Sequence, residues 1–76
     1  MNKERRKNIN ELVEQLERIK ELVNDLQAEE QEYLDSIPEN LQGSERYEKA
    51  EMAVSYLDDA YNSLEDATTA LTEATE

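Results

Sequence analysis

Histidine, cysteine, tryptophan and phenylalanine are all missing from this 76-residue chain, and glycine and proline occur once each. Each absence removes a class of chemistry. Without histidine or cysteine there is no imidazole base, no thiolate nucleophile, no disulfide and no His- or Cys-ligated zinc site. A single glycine cannot build a phosphate-cradling loop. Ser36, Ser44, Ser55 and Ser63 have no base to activate them, and two of them stand where caps are needed. The chain also lacks any continuous apolar run of signal-peptide or membrane-span length, and the basic start Met1–Lys7 leads straight into an amphipathic stretch. These absences predict a soluble cytoplasmic protein that is not an enzyme and carries no cofactor and no metal. The carboxylate pairs Glu29-Glu30, Asp58-Asp59 and Glu65-Asp66 do not alter that expectation, because neighbouring helical residues diverge by about 100° and no calcium-loop spacing accompanies them. A carboxylate-only magnesium site formed across a dimer is the one catalytic alternative left.

What is present is acid. Twenty Asp and Glu stand against eight Lys and Arg, for a net charge of −12. The balance is uneven: Lys3, Arg5, Arg6 and Lys7 outnumber Glu4 in the first seven residues, and the remainder is strongly negative. Such a surface disfavours direct contact with nucleic acid, whose phosphates need Lys and Arg. It suits a partner with a basic surface, or it merely keeps the chain soluble.

The apolar residues are ordered by sevens. Val54–Ala60, Tyr61–Ala67 and Thr68–Ala74 are consecutive heptads with Leu57, Leu64 and Leu71 in one register and Ala60, Ala67 and Ala74 in another. With Tyr47, Val54, Tyr61 and Thr68 at a and Ala50, Leu57, Leu64 and Leu71 at d, the alanines from Ala53 onward fill g. The first half follows the same rule. Ile9, Leu16, Val23, Glu30 and Ile37 fall at a, and Leu12, Ile19, Leu26 and Tyr33 at d, with Val13, Leu22 and Leu34 widening the stripe. A repeat of this kind keeps one stripe against a neighbouring helix.

Between the halves, Pro38 and Gly43 interrupt the pattern. The spacing predicts a single domain over residues 1–76, with a helix over 3–35, a loop containing a short turn over 36–44, and a helix over 45–74. Ser36 with Glu39 has capping-box spacing for the turn, Gly43 suits a left-handed closing residue, Ser44 suits the next N-cap, and Leu41 is placed to plug the end of the stripe. So short a connection folds the helices back into an antiparallel hairpin. That sets the basic start beside Glu73 and Glu76, where opposite charges offset. The Thr-rich last turn is expected to fray. Two helices alone make a thin core, so the wide stripe predicts a homodimer, a four-helix coiled-coil bundle. The predicted core and dimer seam is Leu12, Leu16, Ile19, Val23, Leu26, Tyr47, Val54, Leu57, Tyr61, Leu64 and Leu71.

Three features admit two readings each. Glu30, alone polar in its seam, either reaches water near the loop or sets register by contact with Tyr61 or Lys49. Met52 and Tyr56, four apart and off the seam, are either a partner-binding spot or helix-packing surface. The acids are either a solvated face or an imitation of nucleic acid. Counting only the acids beyond Lys7, a dimer with about 38 carboxylates on a rod of roughly 50 Å shows about one per 1.3 Å, against about one per 1.7 Å for B-DNA.

The segment Pro38-Glu-Asn-Leu-Gln-Gly-Ser-Glu-Arg-Tyr47, preceded by the acidic Glu29–Tyr33 run and followed by Leu/Asp/Ala heptads, resembles a family of small acidic helical-hairpin proteins of phages and prophages of Gram-positive bacteria. Thr68, Thr69 and Thr72 depart from the family's usual residues. The resemblance implies the host cytoplasm as setting and suggests an inhibitor of host defence, of anti-CRISPR or anti-restriction type, or an accessory factor in replication. The combined expectation is an inhibitor that blocks a nucleic-acid-handling host complex through acidic helix faces, with Glu48, Met52, Tyr56, Asp59 and Asp66 as contact residues. The alternative is a structural or adaptor protein of phage replication or assembly that acts through helix–helix contacts.

Overall fold

A computed structural model describes all of residues 1–76. It contains two long helices, α1 (Lys3–Ser36) and α2 (Glu45–Ala74), joined by a 3₁₀ turn at Glu39–Leu41. No strand is present, and the helices lie against one another as a hairpin measuring 59 × 15 × 13 Å.

Each helix starts on a side-chain cap. The Asn2 side chain accepts from the Arg5 amide at 2.8 Å, and the Ser44 hydroxyl accepts from the Tyr47 amide at 3.2 Å. Both satisfy donors that the first turn of a helix leaves unpaired. At the other end of α1, Ile37 is extended (φ −70°, ψ 123°), the conformation that a following proline imposes.

The loop departs from expectation at three residues. Ser36 does not cap the turn: it belongs to the last turn of α1, where its hydroxyl donates to the Tyr33 carbonyl at 2.7 Å. A hydroxyl already inside a helix finds a carbonyl one turn back before it finds a forward amide. The 3₁₀ turn is closed instead by the Leu41 amide donating to the Pro38 carbonyl at 2.8 Å, with no side-chain cap. Gly43 has no positive φ, because the chain enters α2 by a Ser44-to-Leu41 amide–carbonyl bond of 3.1 Å that needs no left-handed residue. Leu41 is half exposed and does not close the stripe; Ile37 does, in a cluster with Leu34 and Ala50 against which Tyr47 and Val54 pack.

That cluster fixes the rotation of α1. Leu34 and Ile37 occupy positions e and a, and both close on Ala50. The inward columns of α1 are therefore a and e: Ile9, Val13, Leu16, Lys20, Val23, Gln27 and Glu30 are buried or half-buried, whereas Leu12, Ile19, Leu26 and Tyr33 at d are exposed. α2 uses a and d, burying or half-burying Tyr47, Ala50, Val54, Leu57, Tyr61, Leu64, Thr68 and Leu71. Buried Thr68 leaves no polar atom stranded, since its hydroxyl donates to the Leu64 carbonyl at 2.9 Å. Thr72 and Thr75 bond backward in the same way, and α2 stays helical to Ala74.

Two substitutions test the loop. A Cβ at Gly43 would meet nothing within 4 Å, and the backbone there is open to any residue. Gly43→Ala should therefore stabilise the fold by about 0.5 kcal/mol through the unfolded state. Ser44→Ala should destabilise it by about 1 kcal/mol through loss of the cap. Urea unfolding followed by circular dichroism measures both.

Candidate interaction surface

The rotation of α1 sorts the exposed residues into two unlike sides. On α2 the acids stand only at b, e and f: Glu48 at b; Glu51, Asp58 and Glu65 at e; Glu45, Asp59, Asp66 and Glu73 at f. Its c and g columns hold none. They read Lys49, Tyr56, Ser63 and Ala70, and Arg46, Ala53, Ala60, Ala67 and Ala74. On α1 the acids cluster at b, c and f, with Glu29 and Glu30 as the exceptions, and the d column is Arg5, Leu12, Ile19, Leu26 and Tyr33.

In an antiparallel pair with this rotation, the d column of α1 and the g column of α2 lie on the same side. The groove beside the loop shows it directly, because Glu30 and Tyr33 line it together with Glu45, Arg46, Lys49, Ala50 and Ala53. The hairpin thus has one side bristling with carboxylates and one side built from leucine, isoleucine, tyrosine and alanine.

The contact residues expected from the sequence divide between these sides. Glu48, Met52, Asp59 and Asp66 share the outer, acidic side of α2, and Met52 is 54% exposed. Tyr56, 65% exposed, stands at c on the shoulder that leads to the alanine column. Of the predicted seam, Leu16, Val23, Tyr47, Val54, Leu57, Tyr61, Leu64 and Leu71 face the partner helix, and Leu12, Ile19 and Leu26 face outward. Glu30 is half-buried in the Tyr33 groove without a cation: Lys49 pairs with Glu45 at 3.1 Å, one turn away on its own helix. Neither ion pair of the hairpin joins the basic start to Glu73 or Glu76. No cluster of three or more acidic residues gathers at metal-binding distance.

The feature that sequence inspection missed is Lys20. It occupies an e position in the middle of the inward stripe, and only 11% of its side chain is exposed. Its ammonium lies 5.2 Å from the centre of the Tyr61 ring and 3.7 Å from a Glu17 carboxylate oxygen. The four-carbon stem covers apolar surface while the charge reaches the π face and the rim. The signal was present as an interruption: Ile9, Val13, Leu16 and Val23 run on either side of it, in a column that a strict a/d reading leaves out. Glu17 is half exposed, so its pairing contributes little.

No known protein-family model, curated protein or solved structure matches the chain. No helix is long and apolar enough to cross a membrane.

A charge confined in an apolar stripe costs desolvation that a half-exposed partner does not recover. Lys20→Leu should therefore raise stability by about 1 kcal/mol, read as a higher urea midpoint with an unchanged slope. A lower midpoint would show that the contact with Tyr61 outweighs desolvation.

Proposed function

We propose that this chain is a non-enzymatic binding protein that works as a homodimer and blocks a basic protein surface, of the kind that grips nucleic acid, with its acidic side. The observation that carries the reading is the sorting of charge. Glu48, Asp59 and Asp66 stand in columns shared only with polar residues, Met52 and other acids, over the length of α2. Carboxylates aligned in this way along a rod sum their fields at a cationic groove, steering encounter and competing with a phosphate backbone. In its specific form, supported by the resemblance at the Pro38–Tyr47 segment, the target is a host nucleic-acid-handling defence complex of anti-CRISPR or anti-restriction type, met in the host cytoplasm.

A second reading is favoured by the loop end. There Tyr33, Ile37, Pro38 and Leu41, with Ser36, Ser44 and Arg46, line an open groove that holds no carboxylate. An adaptor in phage replication or assembly would use such a groove and the helix faces rather than the acids.

Salt and charge reversal separate the two. Capture from a Gram-positive host lysate should retain a nucleic-acid-binding complex at low salt and release it at high salt. The triple variant Glu48→Lys/Asp59→Lys/Asp66→Lys should lose that capture while keeping its helical circular dichroism. Undiminished capture by the triple variant would contradict the acidic-side mechanism. Loss of capture on Leu41→Ala alone would favour the adaptor.

A further inference from the structure

The apolar side has the composition of a protein interior and the exposure of a surface. Leu12, Leu22 and Leu26 are each about half exposed, and Ile19 is 44% exposed. Five residues of 76 are buried, and no side chain is fully so. A compact monomer of this mass exposes about 4,800 Å². The hairpin exposes 5831 Å². The surplus of about 1,000 Å² is of the size that one partner contributes to a standard protein interface, about 800 Å². A face of 59 by 15 Å supplies a plan area of about 900 Å², enough for that interface.

We infer that this face is covered by a second copy of the chain, with the two hairpins related by a two-fold axis parallel to the helices. The inference gives a surface and an arrangement to the homodimer of the proposed function, and it does not depend on what the acidic side binds. Charge selects the face. Two chains of −12 repel over their acidic sides, whereas the d column of α1 and the g column of α2 contain no carboxylate. Glu30 and Glu45, the acids that line the loop end of this face, stand beside Arg46 and Lys49, and Lys49 pairs with Glu45 at 3.1 Å.

Shape selects the arrangement. The face carries its own complement, large side chains on α1 and alanines on α2, both at intervals of seven. An axis along the rod lays α1 of each copy on α2 of the other and preserves heights. Lys20 stands over Tyr61, which levels the two helices. Stepping equally from that pair, Leu12 falls between Ala67 and Ala74, Ile19 between Ala60 and Ala67, and Leu26 between Ala53 and Ala60. Each of these three meets a gap between two alanines, the geometry of knobs entering holes, and Tyr33 falls between Arg46 and Ala53. A two-fold axis across the rod would instead oppose leucine with leucine and leave the alanine columns facing each other with nothing between.

Sedimentation equilibrium and disulfide trapping test this together. The full chain should sediment at twice its 8.8 kDa mass at micromolar concentration. Ala60→Glu/Ala67→Glu, at exposed helical positions where glutamate is a good helix former, should remain helical and dissociate at concentrations higher by on the order of a hundredfold. Asp59→Lys/Asp66→Lys, on the acidic side, should leave the mass at that of the dimer, so failure of the face and failure of the acidic-side reading give different results. Because the chain has no cysteine, single-cysteine variants report contacts without background. An oxidised mixture of Ile19→Cys and Ala67→Cys chains should trap the mixed pair. A chain that sediments as a monomer at every concentration overturns the inference. So does an Ile19→Cys chain that crosslinks to itself in preference to Ala67→Cys, since Ile19 meets Ile19 only around the crosswise axis.

Discussion

Repulsion among twenty carboxylates, offset by only eight cations, limits where one helix can approach another in this chain. Packing can proceed only along columns that carboxylates avoid, and the sequence leaves few. On α2 these are a, d, c and g; on α1 they are d and e, with a interrupted by Glu30 and g by Glu29. The hairpin uses a and e of α1 with a and d of α2. The columns left over, d on the first helix and g and c on the second, come together on one side because antiparallel helices mirror each other's wheels. A molecule with a carboxylate side and an apolar side follows from that subtraction.

What decides between the two possible rotations of α1 is the turn. Pro38 forces Ile37 out of helical geometry, and the chain doubles back with Ile37 and Leu34 already clamped on Ala50. Ala50 is 4% exposed, the most buried residue of the hairpin. Its single methyl lets α1 come close at the point where the two helices are tied. Once that contact is made, every residue of α1 up to Ile9 has its direction set, including the placement of Lys20 against Tyr61. A small cluster at one end thus orients the whole length of a rod, since the helix between is stiff and regular.

Much of this was legible in the residues. The bounds of α2, its Ser44 cap and its a/d packing were readable because three near-identical heptads repeat one instruction and a serine precedes the first acidic turn. The hairpin itself followed from the single proline and the shortness of the loop. The rotation of α1 was not legible. Leu12, Ile19, Leu26 and Tyr33 favour an a/d stripe, Lys20 and Gln27 break the e column, and the a/e packing rests on a tertiary contact with Ala50 that no local period encodes. Gly43 misled for a related reason: a glycine permits a left-handed turn without requiring one, and the Ser44-to-Leu41 bond does the turning instead. Lys20 itself carries no sign of burial, because charge is the ordinary mark of a surface residue, and only the packed geometry shows its stem lying in the stripe.

The division of α1 into an inward a/e face and a separate d face is the claim on which both surfaces rest. The most direct measurement is the accessibility of individual methyl groups to a soluble paramagnetic agent, followed by NMR through a dilution series. Methyls of Leu16 and Val23 should be shielded at every concentration. Those of Leu12, Ile19 and Leu26 should be shielded only when the protein is concentrated and should become accessible on dilution. Shielding of Leu12, Ile19 and Leu26 at the lowest concentration, with Val13 and Leu34 accessible, would mean that α1 meets α2 through its d column and would contradict the account.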